Sequence, residues 1–117
     1  MAKITLTQLI CERKQDVSGD DEPVLYIAGQ EVWEGKIGKG ESRFPDESRN
    51  FDHSVLVELK ERNDKKYKLL GSWTVRDEAE GKKMLTASSS GYHYKLWYEV
   101  EADVARTVPV TGPGLRA

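Results

Sequence analysis

Alternation of apolar and polar residues with a period of two recurs along the chain and predicts β-strands. The clearest example is residues 92–102, where tyrosine, leucine and valine alternate with histidine, lysine, tryptophan and glutamate. Successive side chains of a strand point to opposite faces of a sheet. One face of this strand is therefore expected to be buried. Its members are Tyr92, Tyr94, Leu96, Tyr98 and Val100.

Similar but shorter patterns predict further strands in the rest of the chain. They cover residues 3–13, 24–28, 31–34, 42–44, 53–61, 69–75 and 83–87. Residues 35–51 otherwise read as a long loop, and residues 76–82 as one helical turn ended by Gly81. No amphipathic helix of useful length is present. Seven to eight strands at this spacing predict an all-β fold, an antiparallel β-sandwich.

The same period predicts which side chains share a face. In residues 3–13, Ile4, Leu6 and Ile10 are expected on one face, opposite Leu9 and Cys11. In the strand at 53–61, Val55, Val57 and Leu59 are expected on one face, and in the strand at 69–75, Leu69, Trp73 and Val75 are expected on one face.

The chain of 117 residues is expected to hold one domain, residues 1–104, followed by an extended tail, residues 105–117. A domain of this size can bury a sufficient core without disulfides or metals. The tail contains two prolines and two glycines in its last nine residues, which disfavours regular structure. The single cysteine, Cys11, excludes an intramolecular disulfide and is expected to be a small buried side chain.

The charge balance, 18 Lys and Arg against 20 Asp and Glu, argues against a nucleic-acid-binding protein. No apolar run is long enough to span a bilayer, and the N-terminus has no signal-peptide core. We therefore expect a cytoplasmic protein without a transmembrane segment, and export by a signal-free route stays open.

Four carboxylates surround a glycine in the segment between the first two predicted strands. They are Asp16, Asp20, Asp21 and Glu22, with Gly19 among them and Pro23 behind them. Calcium takes about six to eight oxygen ligands, usually including several carboxylates. The segment therefore supplies half of a calcium site, or it is a charged turn.

This segment resembles the first calcium loop of the C2 domain, which reads roughly Asp-x-x-Gly-x-Ser-Asp-Pro-Tyr-Val. The matching residues are Asp16, Gly19, Asp21, Glu22, Pro23, Val24 and Leu25. The resemblance implies an eight-stranded β-sandwich that binds calcium and phospholipid in its best-known members. It places Asp16 and Glu22 at ligand positions, and Asp21 is a third candidate ligand.

The third calcium loop of that family is matched only at its ends. Leu70 and Gly71 fit its end, but the positions expected to be acidic are largely Lys60, Arg62 and Lys68. Cations there repel calcium and attract the acidic segment. We therefore predict ion pairs from these three residues to Asp16 and Glu22, and no bound cofactor. Calcium binding at Asp16, Asp21 and Glu22 is the alternative.

No group of residues in the sequence has the spacing of a known catalytic site. His53 and His93 are the two histidines, and neither occurs in a nucleophile elbow, a metal-ligand spacing or a phosphate loop. We expect both to be surface residues, and the protein not to be an enzyme.

Several residues are candidates for contact with a partner. Trp97 falls on the polar face of its strand, Lys65 and Lys66 form a basic turn, and Pro109 and Pro113 lie in the tail. The predicted function is a non-enzymatic protein-interaction, structural or adaptor module, a small subunit of a larger assembly with a protein partner or further copies of itself. The alternative is a peripheral calcium-dependent module that binds anionic lipid or glycan.

Overall fold

Two antiparallel sheets pack face to face in the computed structural model, which describes residues 1–14, 19–78 and 81–102. The strands are β1 (Ala2–Arg13), β2 (Pro23–Ile27), β3 (Gln30–Glu34), β4 (Ser42–Arg43), β5 (Glu47–Phe51), β6 (Ser54–Asn63), β7 (Lys66–Arg76), β8 (Gly81–Ser89) and β9 (Tyr92–Glu101). The first sheet has the order β4-β1-β9-β8, with β5 also paired to β1, and the second has the order β3-β2-β6-β7. The predicted all-β antiparallel sandwich is confirmed.

Strand β9 lies at the centre of the first sheet, between β1 and β8. Its predicted inner face is confirmed, because all five of its apolar members are buried. Opposite them, β6 contributes Val55, Val57 and Leu59, which share one face as predicted and are buried. Burial of apolar area between the two sheets is the main favourable term in the stability of such a sandwich.

A β-bulge changes the face pattern of β1. The register with β9 shifts between Leu6 and Gln8, so one extra residue is inserted there. Leu9 and Cys11 are consequently buried together with Leu6, while Ile10 is only partly buried. The prediction that Ile10 shares the face of Leu6 is wrong, because a one-residue insertion exchanges the two faces downstream of it.

A second irregularity changes the face pattern of β7. Leu59 pairs with Gly71 and Lys60 pairs with Leu69, which leaves Leu70 as an extra residue. Leu70 is buried, whereas Leu69 is 50% exposed. The prediction that Leu69 shares the face of Trp73 and Val75 is therefore wrong for the same physical reason.

Two predictions about connecting segments are also corrected. Residues 35–51 contain β5, which pairs with β1 from Ala2 opposite Phe51 to Leu6 opposite Glu47. The expected helical turn at 76–82 is absent at both described ends, because β7 continues to Arg76 and β8 begins at Gly81, which has a positive φ of 77°. Residues 79 and 80 lie outside the described part. In the described ranges no helix has the length and apolarity to cross a membrane.

Candidate functional site

The hairpin of β6 and β7 occupies the position where the C2 resemblance expects the third calcium loop. Its ladder continues to the pair Asn63 and Lys66, so only Asp64 and Lys65 form the turn. Asp64 has a positive φ of 58°, a conformation that aspartate tolerates better than most residues. Because the chain is in a ladder up to this turn, side chains of residues 60–68 alternate between two faces and do not converge on one point.

Asp21 lies in the interior at the end of the acidic segment. It forms a bridge with Ile37, in which each backbone N–H donates to the other residue's carbonyl oxygen over 3.0 Å. Its side chain is fully buried, and the hydroxyl of Tyr94 donates a hydrogen bond to its Oδ2. The carboxylate of Asp21 therefore ties this segment to the centre of β9.

Burial and this hydrogen bond set the protonation of the neighbouring groups. Desolvation, followed by the bond to Asp21, raises the pKa of Tyr94 far above its usual range. Burial also raises the pKa of the adjacent Cys11 thiol, against a lowering contribution from its hydrogen bond to Tyr94. Charge on either group is unfavourable in this water-excluded position.

Arg62 connects the acidic segment to the second sheet. Its Nη2 lies 3.1 Å from Glu22 Oε1, and its Nη1 lies 3.4 Å from Glu34 Oε2. The backbone N–H of Arg62 also donates to the carbonyl oxygen of Glu22 over 2.9 Å. The hydrogen bond to Glu22 is the largest cause of the raised pKa of Arg62. One of the predicted cations is thus beside one of the predicted acidic residues.

Lys60 and Lys68 make contacts of a different kind. The Nζ of Lys60 lies 4.5 Å from the centre of the Tyr26 ring, and that of Lys68 lies 5.7 Å from the Tyr92 ring. Both distances are in the range of cation–π interactions. Asp16, the other predicted acidic partner, lies outside the described residues, so its pairing stays a prediction.

The described carboxylates of the acidic segment do not face a common centre. No group of three or more His, Cys, Asp or Glu that could hold a metal occurs in residues 1–14, 19–78 and 81–102. Asp21 faces Tyr94 and Glu22 faces Arg62, so two of the three candidate ligands are engaged by the protein itself. Calcium prefers a site in which several carboxylates face a common centre.

The histidines occupy positions with structural contacts. His53 has a positive φ of 67° in the bend before β6. His93 Nε2 lies 3.6 Å from Glu12 Oε1, and Lys95 Nζ lies 3.0 Å from Glu12 Oε2. His53 therefore lies in a bend, and His93 lies beside Glu12 and Lys95.

The candidate contact residues are distributed over both sheets. Trp97 is partly buried in β9, where its carbonyl oxygen accepts a hydrogen bond from Thr7 over 3.1 Å. Lys65 and Lys66 are exposed at the tip of the β6–β7 hairpin and border a shallow concavity. Pro109 and Pro113 lie outside the described residues.

Two apolar side chains on the hairpin are exposed, and the exposure of Leu69 was not expected from the sequence. Tyr67 is 48% exposed and Leu69 is 50% exposed. They lie opposite Arg62 and Lys60 in the ladder, on the face of the second sheet that points away from the first. Their position among lysines was the available signal, because a buried strand face rarely alternates with so many cations.

Comparison with known proteins supports the fold of this chain but gives no family and no function. No family model matches the sequence, and no curated protein matches it. A solved structure titled "Structure of a C2 domain" aligns with a TM-score of 0.59 at 11% identity, covering 87% of this chain and 100% of that one. The chain has a C2-like fold.

A second C2-like structure agrees with this assignment. "Extended-Synaptotagmin 2, C2A- and C2B-domains" aligns with a TM-score of 0.55 at 16% identity, covering 86% of this chain. The match spans 39% of the length of that chain. At these identities the C2-like similarity concerns the arrangement of strands, and function has to be argued from the residues of the site.

Proposed function

We propose that this C2-like chain is a non-enzymatic protein-binding module that serves as an adaptor or structural subunit of a larger assembly. Its contact area is the hairpin surface, which we define as Lys60, Arg62, Lys65, Lys66, Tyr67 and Leu69. The observation that carries the proposal is the exposure of Tyr67 and Leu69, at 48% and 50%, on the face that they share with Arg62 and Lys60.

The composition of the hairpin surface is that of a protein interface. Tyrosine and arginine are enriched in interfaces, where they provide large contact area and directed hydrogen bonds. Here the Arg62 guanidinium is hydrogen-bonded to Tyr67, and that bond helps to raise the pKa of Arg62. A partner with an apolar centre and an acidic rim is complementary to this arrangement.

The alternative function, calcium-dependent binding to anionic lipid, is less compatible with the hairpin. The turn that would enter a membrane first consists of Asp64 and Lys65, both charged, with Asn63 and Lys66 behind them. The apolar side chains lie farther back along the strand. In addition, Asp21 and Glu22 are engaged by Tyr94 and Arg62. We therefore propose that binding needs no calcium.

Site-specific photo-crosslinking tests this proposal. A photoreactive amino acid is placed at position 67, and at the exposed position 86 on β8 as a control, in cells that produce the protein. We expect a discrete protein adduct from position 67 only, and its loss when Leu69→Glu is added. The lipid alternative is measured by flotation with phosphatidylserine vesicles, with calcium and with chelator. Vesicle binding without a protein adduct would contradict the proposal.

A further inference from the structure

Strand β7 has a free side, because among the described strands it pairs only with β6 and ends the sheet order β3-β2-β6-β7. Between its bulge at Leu70 and its last residue, Arg76, it reads Gly-Ser-Trp-Thr-Val, residues 71–75, with no charge and no proline. Charges, prolines and bulges are the features that commonly keep a further strand from adding to an edge. Residues 71–75 are therefore open to pairing with another strand.

The hydrogen bonds to β6 show which backbone groups of β7 point to the free side. The N–H of Asp77 donates to the carbonyl oxygen of His53 over 2.9 Å, so these two residues form a hydrogen-bonded pair. In an antiparallel ladder such pairs alternate with pairs that exchange no hydrogen bond. Because no register shift intervenes, Trp73 points its backbone groups toward β6, and Ser72 and Thr74 point theirs away from it.

The residues that follow the described part include a stretch with the composition of a strand. Five of the eight residues 104–111 are β-branched, the type that is enriched in strands. The glycines of the tail come later, at Gly112 and Gly114. The stretch that ends before them, residues 107–111, reads Thr-Val-Pro-Val-Thr.

Pro109 determines which side of such a strand can pair. The backbone groups of successive residues in a strand point to alternate sides. Proline has no N–H, so the side toward which residue 109 points cannot complete a ladder. Val108 and Val110 point to the other side and are the residues able to exchange hydrogen bonds with a neighbouring strand.

The two patterns match when Val108 is opposite Thr74 and Val110 is opposite Ser72. Each of these four residues then contributes an N–H and a C=O to the new pair of strands. Pro109 is placed opposite Trp73, whose side chain packs against the core but is only partly buried. The apolar proline ring can cover exposed surface of that side chain without leaving a donor unpaired.

The direction of the chain favours β7 over the edges β3 and β8. β9 ends beside the start of β8, since Val100 pairs with Gly81, and only residues 77–80 separate that start from Arg76, the end of β7. A tail that turns back from the end of β9 is therefore antiparallel to β7. Beside β3 or β8, which run opposite to β7, it would form a parallel pair, which is slightly less stable per residue.

Strand β5 also has the direction for an antiparallel pair but is less suited to one. Its Arg49 and Glu47 lie opposite Ile4 and Leu6, whose side chains are buried in the core, so both charges are on the inner face of the first sheet. Inward-pointing charges on an edge strand disfavour the addition of another strand. The uncharged residues 71–75 of β7 carry no such obstacle.

The free side of β7 is within reach of the end of β9. β8 lies against β7, because a Cβ atom on Gly71 would be 2.9 Å from the Cβ of Ala87. β9 is the neighbour of β8 and is accordingly opposite β6, two strand spacings from the free side of β7. With about 4.8 Å between strands and about 10 Å between sheets, the straight distance is about 14 Å. The five residues 103–107 span about 16 Å when extended.

We propose that residues 107–111 of the tail add to the second sheet as a further strand, antiparallel to residues 71–75 of β7 in the same molecule. The inference goes beyond the proposed function, because it gives the tail a docking place on its own domain. Tyr67 and Leu69 of the hairpin surface lie outside the paired stretch. Pro109 at the new edge would prevent a further strand from adding to it.

Amide hydrogen exchange of the full chain, followed residue by residue by NMR, tests the proposal. The reporters are the N–H groups of Ser72 and Thr74, which point away from β6. The N–H of Trp73 points toward β6 and reports whether the sheet itself is intact. Thermal unfolding verifies that each variant has a folded domain.

Two variants with the same number of added prolines are compared with wild type. The pairing variant, Val108→Pro with Val110→Pro, removes the two donors that face β7 in the proposed register. The control variant, Thr107→Pro with Thr111→Pro, removes donors that face solvent in that register. Both sets of substitutions lie in the tail.

We expect Ser72 and Thr74 to exchange at least about tenfold more slowly in wild type and in the control variant than in the pairing variant. Trp73 should be equally protected in all three proteins. Protection of Ser72 and Thr74 should not change when wild type is diluted about tenfold, because pairing within one molecule does not depend on concentration.

Equal exchange of the two reporter amides in all three proteins, whether fast or slow, would overturn the proposal. Equal loss of protection in both proline variants would also contradict it, since the proposed register spares the control positions. Protection that falls on dilution would mean that the tail of a second copy supplies the strand, and would reject docking within one molecule.

Discussion

The hydroxyl of Tyr94 donates a hydrogen bond to Oδ2 of Asp21, and this contact joins the acidic segment to the central strand of the first sheet. Both residues are buried, with exposed fractions of 1% and 0%. In the C2 resemblance the segment that holds Asp21 is a calcium loop. In this chain the same carboxylate is buried and accepts the hydrogen bond of Tyr94.

Substitution of Tyr94 by phenylalanine removes the donor and leaves a buried carboxylate with one partner fewer. We expect the free energy of unfolding to fall by about 1–3 kcal/mol, since a buried polar group that loses its partner retains its desolvation cost. Denaturant unfolding at neutral pH measures the change. The matched control is Tyr98→Phe, for which the described residues show no hydroxyl partner, and it should cost less. Equal losses in the two variants would show that the contact contributes nothing specific.

Calcium should leave the thermal stability unchanged. A ligand that binds only the folded state raises the melting temperature, so a scan with calcium against one with chelator detects a site directly. We expect superimposable curves, because Asp21 and Glu22 face Tyr94 and Arg62. A rise in wild type that disappears in Asp16→Asn would establish calcium binding and favour the lipid-binding alternative.

Gly71 is predicted to be intolerant of any side chain. A Cβ atom there would lie 2.5 Å from Cζ2 of Trp73 and 2.9 Å from the Cβ of Ala87. Overpacking of a core costs about 1–3 kcal/mol, and we expect Gly71→Ala to lose an amount in this range. Gly91→Ala is the control, because a Cβ at that position meets no atom within 4 Å. A Gly71→Ala protein as stable as the control would show that the Trp73 ring moves freely.

Alkaline pH should destabilise the fold through its buried tyrosines. Burial raises the pKa of Tyr94 and Tyr98 in the folded state, whereas a tyrosine in the unfolded chain ionises at about 10. Below that pH both the folded and the unfolded state hold the tyrosine proton, so the contribution of these tyrosines to stability does not depend on pH. Above it only the unfolded state releases the proton, so stability falls as pH rises.

The measurement is the free energy of unfolding as a function of pH. Each tyrosine that stays protonated in the folded state contributes a slope of about −1.4 kcal/mol per pH unit above pH about 10. Tyr94→Phe should therefore flatten the slope by about that amount, whatever its effect at neutral pH. An unchanged slope would mean that Tyr94 ionises in the folded protein.

Much of the scaffold could be predicted from the sequence, because the strongest strands repeat a local pattern. The buried faces of β9 and β6 follow from a period of two and require no knowledge of the partner strands. Strand β5 was missed because Glu-Ser-Arg-Asn-Phe has no apolar alternation, and only its pairing with β1 makes it a strand. Alternation of apolar and polar residues identifies a strand when one of its faces is buried. It gives no signal when neither face is buried.

The candidate site was accessible from the sequence in part. The charge reversal at Lys60, Arg62 and Lys68 pointed to ion pairing, and the structure places Arg62 beside Glu22. The exposure of Leu69 could not be derived from strand alternation, because the bulge at Leu70 decides which of two adjacent leucines is buried. A bulge is a property of the pairing between two strands, so the pattern of one strand alone does not predict it.

The sequence by itself determined the all-β class, the buried faces of the long regular strands and the replacement of acidic residues by cations near position 60. Only the tertiary structure decided the register of β1 and β7, the burial of Asp21 against Tyr94 and the exposure of Leu69. The physical reason is the distance along the chain over which each effect acts. Side-chain alternation acts between neighbouring residues, whereas register, buried polar contacts and sheet edges depend on strands far apart in the chain.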